Sequence, residues 1–156
     1  MAESKKVWGP LKDEFIRRGW PHDRIENKAG EGFPDVIVSI RRRGPEFAGH
    51  HRNATEAFLE LKHVDRRYGK GLRSIKNAVS LGLRPEQFLW LRGAILQARR
   101  AALVAVVESD WYIFHSVEGF ELAKKSTPLS ELMAAADYTT TSPAAVCDYL
   151  FEVFKP

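Results

Sequence analysis

The strongest constraint on the fold is a pair of neighbouring apolar segments separated by a polar stretch. Val36–Ile40 is rich in β-branched residues and is typical of a buried strand. If Ala57–Lys62 is a strand, its side chains alternate between two faces, so Leu59 and Leu61 enter the core while Glu60 and Lys62 project together from the other face. We therefore predict that both segments are strands of one sheet.

The remaining patterns predict helices and strands around this pair. Pro10 and Gly19 are expected to begin and end a first helix, with Leu11, Phe15 and Ile16 on its apolar face. The further predicted elements are a strand over residues 22–26, a helix from Arg84 to about Arg100, strands over 101–108 and 111–115, and two helices with N-caps at Thr127 and Ser142. This order predicts an α/β fold with a central mixed β-sheet flanked by helices and with extra C-terminal helices.

The length fits one domain. With 156 residues, 44% of them hydrophobic, the chain can bury one core but not those of two complete domains. We predict a single domain over residues 1–156, with its core over about 8–115 and a helical extension over about 116–156. No apolar run is long enough to cross a bilayer, so we expect a cytoplasmic protein with no membrane partner. The single cysteine, Cys147, is expected to be buried on a helix.

Two acids and a lysine occupy notable positions in the first two predicted strands. Asp35 directly precedes Val36–Ile40, and Glu60 shares a strand face with Lys62. If the strands pair as a hairpin, Asp35 and Glu60 come close enough to hold one Mg²⁺ ion through carboxylate oxygens. Such an ion can activate water and neutralise phosphate charge, while Lys62 orients or helps to deprotonate that water. The joint pattern predicts a centre that hydrolyses phosphodiesters.

Three segments resemble one nuclease family. Gly32–Val36, Phe58–Lys62 and Leu83–Leu91 are similar to the virus-type replication-repair nuclease (VRR-NUC) branch of the PD-(D/E)xK superfamily, including small bacteriophage and bacterial members and Holliday junction resolvase-like nucleases. The resemblance spans about residues 22–108. It implies a restriction-endonuclease-like core, dependence on Mg²⁺ with Mn²⁺ as a substitute, and cleavage of DNA. It also implies a homodimer that acts as an endonuclease on branched DNA, in replication, recombination or repair, in a bacterial or phage-infected cell.

The resemblance also implies roles for individual residues. It makes Asp35 and Glu60 the metal ligands and Lys62 the base that handles the attacking water. Gln87, at the start of a predicted helix, corresponds to the glutamine that the family places near the metal, although helix capping is an alternative role for it. The catalytic set implied so far is therefore Asp35, Glu60, Lys62 and Gln87.

One further acid is expected from the N-terminal region, because the family usually has one there. We favour Glu26 as this catalytic metal ligand, since it ends a predicted strand and closely precedes Asp35. Glu14, on the first predicted helix, is the alternative. The gap between Asp35 and Glu60 is longer than in compact members of the family, which affects the expected substrate preference more than the expected chemistry.

Positive charge is concentrated beside the predicted centre. Residues 41–80 hold ten Lys/Arg and four Asp/Glu, a balance of +6, whereas residues 101–156 hold three and eight, a balance of −5. Basic side chains on loops that flank the site suit contacts with DNA phosphates. The predicted nucleic-acid-binding residues are Arg41, Arg42, Arg43, Arg52, Arg66, Arg67, Lys70, Arg73 and Lys76.

Two other functions are compatible with the same residues. One is a nucleic-acid-binding module that keeps the fold but cleaves nothing, which the intact Asp35, Glu60 and Lys62 disfavour. The other is an RNA endonuclease or a restriction-type endonuclease, because the same centre can hydrolyse any phosphodiester. Branched and linear substrates, and endonuclease and exonuclease action, remain open at this point.

Overall fold

The structure, a computed structural model, describes residues 4–25, 32–42, 54–64 and 78–155. Its α-helices are α1 (Gly9–Arg18), α2 (Pro85–Leu96), α3 (Val117–Ala123), α4 (Leu129–Ala135) and α5 (Pro143–Val153), and a short π-helical segment, Ser4–Trp8, precedes α1. Its strands are β1 (His22–Arg24), β2 (Val36–Arg41), β3 (Ala54–Val64), β4 (Ala78–Val79), β5 (Ala101–Val107), β6 (Asp110–Phe114), β7 (Thr127–Pro128) and β8 (Tyr138–Thr140).

Six of these strands form a central mixed sheet in the order β1-β2-β3-β5-β6-β8. The β3–β5 pair is parallel, and the other neighbouring pairs are antiparallel. Parallel neighbours need a crossover connection, and α2 lies in the segment that links β3 to β5. The predicted α/β fold, a mixed sheet flanked by helices with extra helices near the C-terminus, is confirmed.

The core has two parts, one on each face of the sheet. On one face, α1 and α5 pack against β2 and β3 through residues such as Phe15, Leu150 and Leu59. On the other face, α2, α3 and α4 pack against β5 and β6, with Phe88, Phe120 and Leu103 among the buried residues. Since side chains alternate along β3, Glu60 and Lys62 lie on the α2 face while Leu59 and Leu61 lie on the α1 face, as predicted.

Several predicted elements differ in detail. Ile16 is 60% exposed, so its predicted place on the buried face of α1 is wrong, whereas Leu11 and Phe15 are fully buried. Gly19 ends α1 in the left-handed conformation, at φ 67°, as expected for a glycine after a helix. The predicted helix to Arg100 ends at Leu96, and Ala98 turns the chain with φ 58°.

The C-terminal segment adds a strand as well as helices. Thr127 is not the predicted N-cap, because it belongs to β7, which pairs with β4 in a separate two-stranded sheet, and α4 begins at Leu129. The N-cap at Ser142 is confirmed, because its side chain accepts a hydrogen bond from the backbone N–H of Ala145 at 3.3 Å. Cys147 is buried on α5, also as predicted.

Among the helices of the described residues, none combines the length and apolar character that crossing a membrane requires.

Candidate functional site

The hairpin of β2 and β3 brings the two predicted acids together. Val36 pairs with Leu59 in this antiparallel pair, so Asp35, one residue earlier, comes opposite Glu60, one residue later. The carboxylate Oδ2 of Asp35 accepts a hydrogen bond from the backbone N–H of Leu61 at 2.8 Å. This bond connects the side chain to the neighbouring strand, so Asp35 is oriented by the sheet itself.

Glu60 is a buried carboxylate in which the two oxygens have different surroundings. The residue is only 1% exposed. Its Oε1 accepts a hydrogen bond from Gln87 Nε2 at 2.6 Å and lies 3.1 Å from Lys62 Nζ. Its Oε2 is buried and has no hydrogen-bond partner among the described residues. A buried charged oxygen without a partner is costly, and a cation bound to this atom would remove that cost.

The electrostatic surroundings of Glu60 agree with that interpretation. Burial, followed by the negative charge of Asp35, raises the pKa of Glu60 to about 7, although Lys62 and Arg84 act in the opposite direction. Two neighbouring carboxylates, of which Glu60 is buried, disfavour each other's ionised form. A bound cation removes this conflict, because it attracts both carboxylates at once.

Gln87 connects the acidic centre to helix α2. It is buried, with 5% of its surface exposed. Its Oε1 accepts a hydrogen bond from the backbone N–H of Arg84 at 3.0 Å, while its Nε2 donates to Glu60. The Gln87 side chain therefore both caps the helix and contacts the acidic centre, two roles that the sequence offered as alternatives.

Gly32 allows the turn before Asp35 to pack closely against the first turn of α2. It has φ +81°, and a Cβ atom at this position would lie 2.4 Å from the backbone oxygen of Glu86. Only glycine satisfies both the left-handed conformation and this close approach. Gly32 thereby sets the distance between the turn that holds Asp35 and the helix that holds Gln87.

The donor set fits a hard divalent cation. Asp35 and Glu60 provide carboxylate oxygens, the ligand type that Mg²⁺ prefers, and the cation can complete its shell with water and substrate. Among the described residues there is no cluster of three or more His, Cys, Asp or Glu side chains suited to a metal. Glu26, the favoured additional ligand, lies outside the described residues.

Glu14, the alternative ligand, is not brought to this centre. Its carboxylate pairs with Arg17 at 2.6 Å and with Arg18 at 3.3 Å. These two arginines, with the hydrogen bonds that they donate, lower the pKa of Glu14 despite the opposing effect of burial. Helix α1 packs against the leucine face of β3, opposite to Glu60.

Only two of the predicted DNA-binding residues are described. Arg41, at the end of β2, and Arg42 are both exposed. Arg41 is at the far end of this strand from Asp35, which corresponds to a separation of roughly 20 Å. The other seven predicted basic residues, Arg43, Arg52, Arg66, Arg67, Lys70, Arg73 and Lys76, lie outside the described residues.

Sequence analysis missed an aromatic cluster on the same face of the sheet. Phe33, Phe58 and Trp90 contact one another, and all three are half-buried. The sequence contained one signal for them, since each phenylalanine precedes a predicted metal ligand by two positions. The positions of Arg99 and Arg100, exposed in the turn after α2, were also not singled out.

Comparisons with known proteins find a similarity in structure but none in sequence. The chain matches no family model and no curated protein sequence. It is similar in shape to the 1.6 Å structure of Hjc, a Holliday junction resolvase from the archaeal hyperthermophile Archaeoglobus fulgidus. The identity is 16%, the alignment covers 90% of this chain and 98% of that one, and the TM-score is 0.42. Because this score is low, the similarity to Hjc does not support a function for this chain.

Proposed function

We propose that this protein is a metal-dependent deoxyribonuclease that hydrolyses phosphodiester bonds at the centre formed by Asp35, Glu60 and Lys62. The observation that supports this most directly is the buried Oε2 of Glu60, which lacks a partner among the described residues and lies beside a second carboxylate. Such an arrangement destabilises the protein unless it serves a ligand. A divalent cation held by the two carboxylates is the ligand that matches their charge and their oxygen chemistry.

The residues around the acids hold them in place before substrate binds. The Leu61 N–H orients Asp35, and the Gln87 side chain orients Glu60. When bound, Mg²⁺ or Mn²⁺ neutralises phosphate charge and lowers the pKa of a coordinated water. Oriented carboxylates keep the charges of the site fixed while the reaction proceeds, which is the main source of electrostatic stabilisation in such centres.

Lys62 is proposed to position the attacking water and to handle its proton. The residue is 8% exposed and its Nζ lies 3.1 Å from Glu60 Oε1, so the side chain is held beside the acidic pair and not extended into solvent. A positive group at this position also attracts the phosphate. Gln87 acts as a positioning residue, because it contacts Glu60 and the helix start.

Glu26 is proposed as the third acid of the centre. The chain leading to it runs beside Asp35, since β1 pairs with β2 and the N–H of Ile25 donates to the backbone oxygen of Asp35 at 2.7 Å. Residue 26 follows this contact directly. The engagement of Glu14 with Arg17 and Arg18 supports the same choice.

The proposed nuclease branch, substrate and oligomeric state follow from the sequence motifs. The three segments that resemble the VRR-NUC branch of the PD-(D/E)xK superfamily supply Asp35, Glu60, Lys62 and Gln87, and these residues meet at one site. We therefore propose membership of this branch, with a restriction-endonuclease-like core. We also propose endonuclease action on branched DNA such as Holliday junctions, by a homodimer, with the basic residues of 41–76 contacting the backbone.

The test is cleavage of matched four-way, flap, duplex and single-stranded DNA, and of an RNA duplex, by the full chain. Cleavage is expected with Mg²⁺ or Mn²⁺, with four-way or flap DNA cut fastest, and neither Ca²⁺ nor excess chelator should support it. Asp35→Asn should abolish it, whereas Glu14→Gln should not. Cleavage by the Asp35→Asn, Glu60→Gln double variant, or in chelator, would refute the proposed centre. Metal-dependent DNA binding without cleavage would instead favour the binding module.

A further inference from the structure

Three aromatic side chains form a cluster that the proposed chemistry does not use. The ring centroids of Phe33 and Trp90 are 5.1 Å apart, those of Phe58 and Trp90 5.2 Å, and those of Phe33 and Phe58 6.2 Å. The interplanar angles are 59°, 60° and 85°, so the rings meet edge to face or tilted, and none is stacked flat on another. We call these three residues the aromatic platform.

The aromatic platform differs from the core aromatic residues in its exposure. Phe15, Phe114 and Phe120 are fully buried, whereas all three platform residues retain partial exposure. Aromatic surface that the protein leaves accessible in a group is a common feature of binding sites.

The platform adjoins the proposed catalytic centre. Its two phenylalanines stand two positions before Asp35 and Glu60, and Phe58 shares a face of β3 with Glu60. Trp90 is on α2, three positions after Gln87 and therefore on a similar side of that helix. Along β3, the platform and the acid are about 7 Å apart. A group bound on the platform would thus be next to the phosphate that is cleaved.

Positive charge flanks the platform at both ends of α2. The N–H of Phe58 donates to the backbone oxygen of Arg100 at 2.9 Å, which brings the exposed Arg99–Arg100 turn to one side of the platform. Arg84, whose side chain is 55% exposed, lies at the other end of the helix and affects the electrostatics of Glu60. Aromatic rings between basic side chains are the combination that binds single-stranded nucleic acid, through base stacking and phosphate contacts.

We propose that the aromatic platform stacks an unpaired nucleobase of the DNA strand next to the cleaved phosphate. This inference rests on the proposed nuclease function and specifies its substrate class. In a regular duplex both faces of each base are covered by neighbouring base pairs, so only a base that has left the stack can lie on a protein ring. The preferred substrates are therefore DNAs with an unpaired or splayed nucleotide beside the cut, such as flaps and branch points.

The test measures equilibrium binding of flap DNA in Ca²⁺, with a single abasic nucleotide moved through the unpaired tract. For the parental protein, one abasic position should weaken binding by about tenfold or more, because one stacked base is lost. Trp90→Leu should weaken binding of intact DNA by a similar factor and should lose sensitivity to that abasic position. Trp90→Phe should retain both affinity and sensitivity, since it retains a ring.

Controls separate stacking from folding. Leu89→Ala changes an exposed apolar residue of the same helix and should behave as the parental protein. Circular dichroism checks each fold, and Phe33→Leu replaces Trp90→Leu if that variant does not fold. The same abasic penalty in the parental protein and in the folded leucine variant would overturn the proposal, as would the absence of any penalty. Because the assay measures binding, a missing cleavage activity would refute the nuclease function without affecting this result.

Discussion

Beside the acidic centre, the two faces of strand β3 are similarly buried but chemically opposite. On one face, Leu59 is 0% and Leu61 is 4% exposed, and both pack against the apolar side chains of α1 and α5. On the other face, Glu60 is 1% and Lys62 is 8% exposed, and Gln87 of α2 donates to the carboxylate. The same backbone thus places a hydrophobic core on one side and a titratable acid and lysine on the other.

The chemical difference between the two faces of β3 indicates which face serves function. Burying leucine stabilises the fold without further requirements, because its side chain has no polar atoms. Burying an ion pair often contributes little to stability or opposes it, since the desolvation cost offsets the attraction. The α2 face leaves the buried Oε2 of Glu60 without a partner among the described residues, a cost that the buried leucines on the opposite face do not incur. If the two faces have separate roles, a substitution on the α2 face should mainly change turnover, and one on the α1 face should mainly change stability.

The largest effect is expected from Glu60→Gln. The change preserves shape but removes the charge that binds the cation, so turnover should fall on the order of 10³-fold. Without metal, the free energy of unfolding should change by no more than about 1 kcal/mol, because the amide oxygen can still accept from Gln87. Glu56→Gln, an exposed position on the same strand, is the matched control and should keep parental turnover. Rates in Mg²⁺ measure turnover, and denaturant titrations measure stability. Undiminished turnover would show that the acidic face of β3 is not needed for activity.

Leu59→Ala tests the opposite face one residue away. Deleting this fully buried side chain should lower the free energy of unfolding by about 2–5 kcal/mol, through lost burial and the cavity that remains. The turnover of the folded fraction should stay close to the parental value, because the side chain does not touch the acidic centre. Denaturant titration gives the stability, and rates at low temperature give the turnover. A folded variant without activity would show that the two faces are coupled.

Gly32→Ala tests how closely the acidic face is fixed to α2. The change forces a Cβ atom against the Glu86 backbone and strains a left-handed conformation, so we expect a loss of roughly 2–3 kcal/mol and slower turnover. Gly82→Ala is the matched control, since Gly82 also has positive φ, +70°, but a Cβ atom there would meet nothing within 4 Å. It should lose stability from backbone strain only. Equal effects in the two variants would show that the contact with Glu86 is unimportant.

The sequence predicted the two faces of β3 because their information is local. Alternation over Ala57–Lys62 specifies which side chains share a face, and β-branched residues identify β2 as its partner. Once the strands pair, the register places Asp35 opposite Glu60. Both the mixed sheet and the meeting of the two acids could therefore be predicted without coordinates.

The features that sequence analysis missed depend on contacts between distant segments. Strand β7 has two residues, too few for any periodicity, and it exists because it pairs with Ala78–Val79. The aromatic platform combines residues from a turn, a strand and a helix, so a local pattern can mark its two phenylalanines but not their contact with Trp90. Ile16 follows Phe15 by one position, a rotation of about 100° on a helix, which carries it out of the buried face.

The smallest effect is expected at the far end of the hairpin from the acids. Replacing Arg41, Arg42 and Arg43 with serine should weaken DNA binding and lower the slope of log K against log salt by about 0.9 for each lost phosphate contact on duplex DNA. At saturating DNA the cleavage rate should remain near the parental value, because Arg41 is roughly 20 Å along β2 from Asp35 and cannot touch the reacting phosphate. A protein in which Lys5, Lys12 and Lys125 are changed to serine loses the same charge from other exposed positions and is the control. Binding across a salt series in Ca²⁺ distinguishes local contacts from net charge. Identical slopes in the two triple variants would mean that this end of the hairpin contributes only net charge to the attraction of DNA. DNA would then contact the acidic face alone.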